Sequence, residues 1–232
     1  MSDPKIIQKP SPFCHTRPSR YPLDMIIIHH IGSKANKLYK VSGAIAWFTN
    51  EELHRNKKTG KIENKVSAHY VIPRVPYLSA DIVQCVQDTD VAYHAGVSQW
   101  TVDGTLRKGI NNYSIGIELE GDGNIIEYTD YQYEQLTWLV RDLMSRHGVI
   151  DENILGHEDI APSRKVDPGI LFDWKRLRKE VNPPTLFTMP EVVVKGESPQ
   201  VDDKEFSMES GDTPSSFFSL FLDLISKLFG KS

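Results

Sequence analysis

Hydrophobic positions divide the chain into short segments of two periodicities. Met25 to Ile31 (MIIIHHI) is a nearly continuous apolar run between Pro22 and Gly32. It predicts a strand buried on both faces, with two histidines at its C-terminal end. Tyr113 to Glu120 (YSIGIELE) alternates, with Ile115, Ile117 and Leu119 on one face and Ser114, Gly116, Glu118 and Glu120 on the other. Ser67 to Arg74 and Ile82 to Gln87 predict two paired strands, and Ile154 to His157 a further short one. Helical spacing marks residues 44–54, where Ile45, Phe48 and Leu53 would pack and Ser42 would cap. Thr129 to Gln132 is a capping box opening a helix to His147, with Gly148 at its C′ position. A last helix is predicted from Leu171 to Val181. Short strands interleaved with three main helices predict an α/β domain: a mixed central sheet flanked by helices.

Composition shifts at Asn182-Pro183-Pro184. The pattern divides the chain into an N-terminal extension (1–21), a folded domain (22–183), an acidic proline-containing linker (184–213) and a C-terminal amphipathic helix (214–232). Phe and Leu cover most of that last helix, leaving Ser219, Asp223 and Ser226 on a narrow stripe. Interfacial helices carry a cationic polar face, and here only Lys227 and Lys231 offset Asp223. The expectation is that it docks on protein, with membrane contact as the alternative.

Charge narrows the function. Lys+Arg total 27 against 31 Asp+Glu, a net −4, which argues against a nucleic-acid binder held by phosphate contacts. Two cysteines, Cys14 and Cys85, support neither a zinc knuckle nor a disulfide framework. The first 22 residues are polar and broken by prolines, without the apolar stretch of an export signal. Synthesis in the cytoplasm is therefore expected, with action on a cell wall only after lysis or non-classical release.

Candidate chemistry gathers at strand ends. His29 and His30 lie where a buried strand emerges, and because side chains alternate only one can face a given pocket. His157 also follows a short apolar strand, and Asp167 stands ten residues later in an Asp-Pro-Gly turn. Two histidines and a carboxylate suffice to hold zinc with one position open, although a strand histidine is commonly structural. Glu118 lies on the polar face of its strand, where a carboxylate is by default solvated. Lys165, two residues before Asp167, points to the same side in extended geometry, and its plain reading is a surface lysine.

These residues fall within stretches that resemble the zinc-dependent N-acetylmuramoyl-L-alanine amidases, a family that includes small phage amidases, cytoplasmic anhydro-muropeptide amidases and peptidoglycan recognition proteins. The matching stretches are IIIHH (26–30), SAHYVI (67–72), AYHAGVS (92–98), NNYSIGIELEG (111–121), GHEDIAPSRKVDPG (156–169) and FDW (172–174), in family order. The resemblance implies the amidase and peptidoglycan-recognition fold with one Zn²⁺ in a surface groove. It implies His29, His157 and Asp167 as ligands, Glu118 as general base and Lys165 as the cation beside the oxyanion. His69, His94 and Asn111 match positions lining the cleft, where they would bind substrate, and His30 would be a packed neighbour. The implied reaction is hydrolysis of the amide between N-acetylmuramic acid and L-alanine in peptidoglycan or muropeptides. The tail favours a lytic, endolysin-like role; a cytoplasmic recycling amidase and a non-catalytic peptidoglycan-binding module are the alternatives. Arg74 to Asp81 stands where the family has a tight hairpin, and the loop after His30 lacks a proline-rich segment.

Overall fold

The computed structural model describes residues 3–34 and 37–182; the linker and the C-terminal helix expected from the sequence lie outside them. Six strands form the central sheet: β1 (Ile6–Gln8), β2 (Met25–His30), β3 (Tyr70–Ile72), β4 (Ile82–Gln84), β5 (Ser114–Leu119) and β6 (Ile154–Gly156), in the spatial order β1-β4-β3-β5-β2-β6. All neighbours run parallel except β3 and β4, which form the antiparallel pair. The helices are α1 (Val41–Thr49), α2 (Asp130–His147), α3 (His157–Ile160) and α4 (Trp174–Val181).

The two long strands lie at the centre because both of their faces are covered. On one face Ile26, Ile28, Ile115, Ile117 and Leu119 pack against Leu136, Leu139, Val140 and Leu143 of α2 and Leu177 of α4. On the other, Val71 and Val83 meet Val41, Ala44, Ile45 and Phe48 of α1. Met25 and Ile27 there form a cluster with Ile110, Leu155 and Ile160. Each large aliphatic side chain buried in this way contributes roughly 1.5–3 kcal/mol. The face opposite Ile115, Ile117 and Leu119 is therefore interior, not the solvated surface that alternation suggests.

Several expectations are revised. The N-terminal segment expected as an extension contributes strands to the fold. β1 is the edge strand of the sheet, and Cys14–Thr16 pairs with Asp90–Ala92. Three-residue strands carry too little pattern to be recognised in sequence. α1 starts earlier than expected and gives way to a 3-10 turn at Glu51–His54, leaving Leu53 47% exposed. Ser42 does not cap α1: Lys40 occupies the N-cap position with no side-chain bond, and the Glu120 carboxylate accepts from the Val41 N–H instead. A distant carboxylate there satisfies an orphan donor and the helix dipole together. The predicted capping box and Gly148 do bound α2. The last helix starts at Trp174 rather than Leu171, with Asp173 as its cap. A tight hairpin is present after β3: Leu78 and Ser79 adopt φ of 51° and 60°, and Tyr77 and Ala80 exchange backbone hydrogen bonds across them. Neither residue is glycine, so the usual turn signal was missing.

Candidate active site

Parallel register sets β5 beside β2 so that Glu118 is the direct neighbour of His29, on the face away from α2. β6 lies on the other side of β2, and the chain turns from it into α3 at His157. His157 thus opens a one-turn helix rather than ending a strand. Asp167 arrives on a turn fixed from three directions. Its carbonyl accepts from the Glu158 N–H at 2.9 Å, and the Tyr128 hydroxyl donates to the Pro168 carbonyl at 2.7 Å. Gly123 lies against the same carbonyl so closely that a Cβ there would stand 2.0 Å from it.

The result is a convergence of three buried side chains. His29 Nδ1 is 2.9 Å from His157 Nδ1 and 3.0 Å from Asp167 Oδ2, and His157 Nδ1 is 3.0 Å from the same oxygen. Burial holds His29 neutral by lowering its pKa to about 4. The far nitrogen of His157, Nε2, lies 3.2 Å from the Ala95 carbonyl, which can only accept; this contact is closer than the Arg164 guanidinium at 3.4 Å and favours the tautomer with the proton on Nε2 and the lone pair on Nδ1. Two imidazoles and a carboxylate form a donor set suited to zinc and other divalent first-row metals. The spacing fits as well. Three points about 3 Å apart lie ~1.7 Å from their common centre, within the ~2.0–2.1 Å reach of zinc–nitrogen bonds. These three residues can hold a metal ion.

Glu118 is half-buried rather than fully solvated. Its Oε2 is buried without a hydrogen-bond partner. Burial first, and then the negative charge of Asp167, pushes its pKa well above the ordinary value, while Lys165 pulls the other way. A carboxylate raised toward neutrality beside a metal site is suited to take up a proton. Lys165 is half-buried, and its positive charge acts on His29, His30 and Glu118.

The three residues expected to line a cleft make the following contacts within the protein. His69 is 0% exposed; its Nδ1 accepts from the Gly116 N–H and its Nε2 lies 3.2 Å from the Asp90 carbonyl, so neither nitrogen is free for a ligand. His94 is buried, with Nδ1 2.9 Å from His29 Nε2. Asn111 uses Oδ1 to accept from the backbone N–H groups of His94 and Ala95, at 3.1 and 2.7 Å. Chain position could not separate a cleft wall from the layer beneath it. His30 matches expectation as a neighbour, its Nδ1 accepting from the Gly123 N–H. Arg164 was not singled out in sequence, yet its guanidinium donates to the carbonyls of Ala95 and Val97 and lies 3.4 Å from His157 Nε2. Gly116 was also missed: a Cβ there would stand 2.4 Å from Cγ of the His94 ring, so only glycine admits that ring.

Residues 19–170 match the family model described as N-acetylmuramoyl-L-alanine amidase, a stretch that includes every member of this cluster. The chain belongs to that family. Among amidases of the family, it is 46% identical over 121 residues to the 1,6-anhydro-N-acetylmuramyl-L-alanine amidase AmpD of Escherichia coli, covering 52% of this chain and 61% of that one. The matched stretch spans about three fifths of the length of this AmpD and of its Citrobacter freundii counterpart. The crystal structure of a selenomethionine AmpD derivative superimposes with a TM-score of 0.62 at 36% identity, covering 78% of this chain and 96% of that one. The N-acetylmuramyl-L-alanine amidase AmiD of E. coli does so with a TM-score of 0.53 at 30% identity, covering 70% of this chain and 59% of that one. That structure is a complex with the substrate anhydro-N-acetylmuramic acid-L-Ala-D-γ-Glu-L-Lys. Among the described residues no helix is long and apolar enough to cross a membrane.

Proposed function

We propose that this protein is a zinc-dependent N-acetylmuramoyl-L-alanine amidase that hydrolyses the amide between the lactyl group of N-acetylmuramic acid and L-alanine. The observation that carries the reading is the convergence of His29 Nδ1, His157 Nδ1 and Asp167 Oδ2 within 3.0 Å of one another, beside Glu118, whose Oε2 is buried and unpartnered. The three converging residues would hold the zinc ion. Zinc bound there supplies Lewis acidity and lowers the pKa of water toward ~7. Glu118 accepts the proton of the attacking water, and burial beside Asp167 raises its pKa and with it its basicity. Lys165 sets a positive charge toward the carbonyl oxygen as it becomes negative, stabilising the tetrahedral state. Glu118 then returns the proton to the leaving nitrogen of L-alanine.

The substrate-bound AmiD relative favours small anhydromuramyl peptides as substrates. Action on intact peptidoglycan, as a lytic enzyme, is the second reading, supported by the C-terminal segment that follows the family domain. Both predict the same bond cleavage. Incubating the zinc-loaded full chain with a soluble anhydro-muropeptide and with purified sacculi, and quantifying new L-alanine amino termini, tests the reaction and ranks the substrates. Cleavage at the lactyl amide, abolished together with zinc content in His157→Ala, is the expected result. A purified protein that binds sacculi but neither takes up zinc nor cleaves either substrate would make it a binding module instead.

A further inference from the structure

Both metal-facing histidines are held at their far nitrogens by one short loop. His157 Nε2 bonds the Ala95 carbonyl, and His29 Nε2 lies 2.9 Å from Nδ1 of the adjacent residue, His94. The other His94 nitrogen, Nε2, is 3.2 Å from Ser114 Oγ, and Ser114 Oγ is 2.8 Å from the Ile110 carbonyl. This line of contacts has a direction. The Ile110 carbonyl can only accept, so the single Ser114 hydroxyl proton goes to it. Ser114 must then accept from His94 Nε2–H, His94 Nδ1 is left with a lone pair, and His29 Nε2–H donates to it. His29 Nδ1 is thereby bare and faces Asp167 and His157. The same loop is secured from below. Asn111 Oδ1 accepts both backbone N–H groups at 94 and 95, and Gly116 leaves room for the His94 ring.

We infer that His94, Ser114 and Asn111 are positioning residues that fix both metal-facing histidines in the Nε2–H tautomer, so that two lone pairs reach the metal position before any ion arrives. The inference rests on the zinc reading of the site, and it moves His94 and Asn111 from substrate contact to support of the ligands. Partners of this kind orient a ligating imidazole and raise its basicity, and their loss typically costs 10–100-fold in metal affinity.

The test uses the full-length chain with zinc alone as probe. Long-range ¹H–¹⁵N correlation spectra of the zinc-free protein at neutral pH should show His94 and His157 protonated on Nε2. Finding His94 protonated on Nδ1 would reverse the line of donors and overturn the inference, whatever the zinc affinity. Chelator competition supplies the second readout. His94→Leu should bind zinc ~10–100-fold more weakly, while His94→Gln, which keeps an acceptor and a donor, should recover most of that loss. If His94 served only to fill space, leucine would be the better replacement, and zinc binding that ranks leucine at or above glutamine would sink the proposal. Where a variant fails to fold, the spectra of the unchanged protein still decide. Failure of the unchanged protein to bind zinc would count against the amidase reading instead, and the tautomers would be read independently of it.

Discussion

Replacing Glu118 by glutamine separates catalysis from architecture at this site, because the half-buried side chain forms no bond the fold relies on. Its Oε2 has no partner, so the amide removes no hydrogen bond at that atom. Glu118 is also not one of the three converging donors, so zinc content should stay at one per chain. The substitution does remove the proton acceptor. A general base contributes ~10²–10⁴-fold, or about 3–5 kcal/mol of transition-state stabilisation, and kcat/KM should fall by that factor. Folding should respond in the opposite direction. Burial and Asp167 raise the Glu118 pKa above its unfolded value, so the folded state binds the proton more tightly than the unfolded chain does. Stability is then lost as pH rises from the ordinary carboxylate range through the raised value, and glutamine removes that penalty. At pH 8 the melting temperature of Glu118→Gln should equal or exceed that of the unchanged protein. The acid limb of the kcat/KM profile, which reports ionisation of the base, should disappear in the residual activity. The assay is chromatographic release of the stem peptide from anhydro-muropeptide, beside metal analysis and calorimetry of the same preparation. Activity within about threefold of the unchanged protein, with the acid limb intact, would remove Glu118 from the mechanism.

Lys165→Ala should lower kcat with zinc content unchanged, if the ammonium acts on the developing oxyanion; a change confined to KM would make it a substrate-binding cation. Gly123→Ala places a Cβ 2.0 Å from the Pro168 carbonyl, so the Asp167 turn must shift. Zinc affinity should drop although no ligand is altered, and chelator competition showing no change would mean the turn yields without moving Asp167. His69, buried and with its pKa lowered to about 3, binds its proton only in the unfolded chain at mildly acid pH. Stability is therefore lost as pH falls below the unfolded value near 6.5, by about 2 kcal/mol between pH 7 and 5 for this residue. Urea titrations of His69→Gln at both pH values should show a smaller acid loss than the unchanged protein, and an equal loss would place the acid sensitivity elsewhere.

Sequence by itself determined the elements with enough pattern to be unambiguous. The apolar run at 25–31 became the buried strand β2, the alternation at 113–120 became β5, and the Thr129 capping box with Gly148 bounded α2. The histidines and carboxylates that converge were all legible as residue types at strand ends and in the Asp-Pro-Gly turn. Tertiary structure alone decided what surrounds them. Alternation shows that Glu118 faces away from Ile117, but not that a second layer buries that face and leaves its oxygen unpartnered. It shows Glu120 as a polar-face residue, whereas its carboxylate caps α1, some 80 residues earlier in the chain. Strand β1 was invisible because three residues hold no period, and its place at the sheet edge is set by pairing with β4. His69 and His94 match cleft positions in sequence pattern, yet both ring nitrogens of each face neighbouring protein groups, and Asn111 commits its Oδ1 to the backbone of the loop at 94–95. The physical reason is common to all of these. Periodicity encodes which way a side chain points relative to its own strand or helix, and only the packing of distant segments fixes what it meets there.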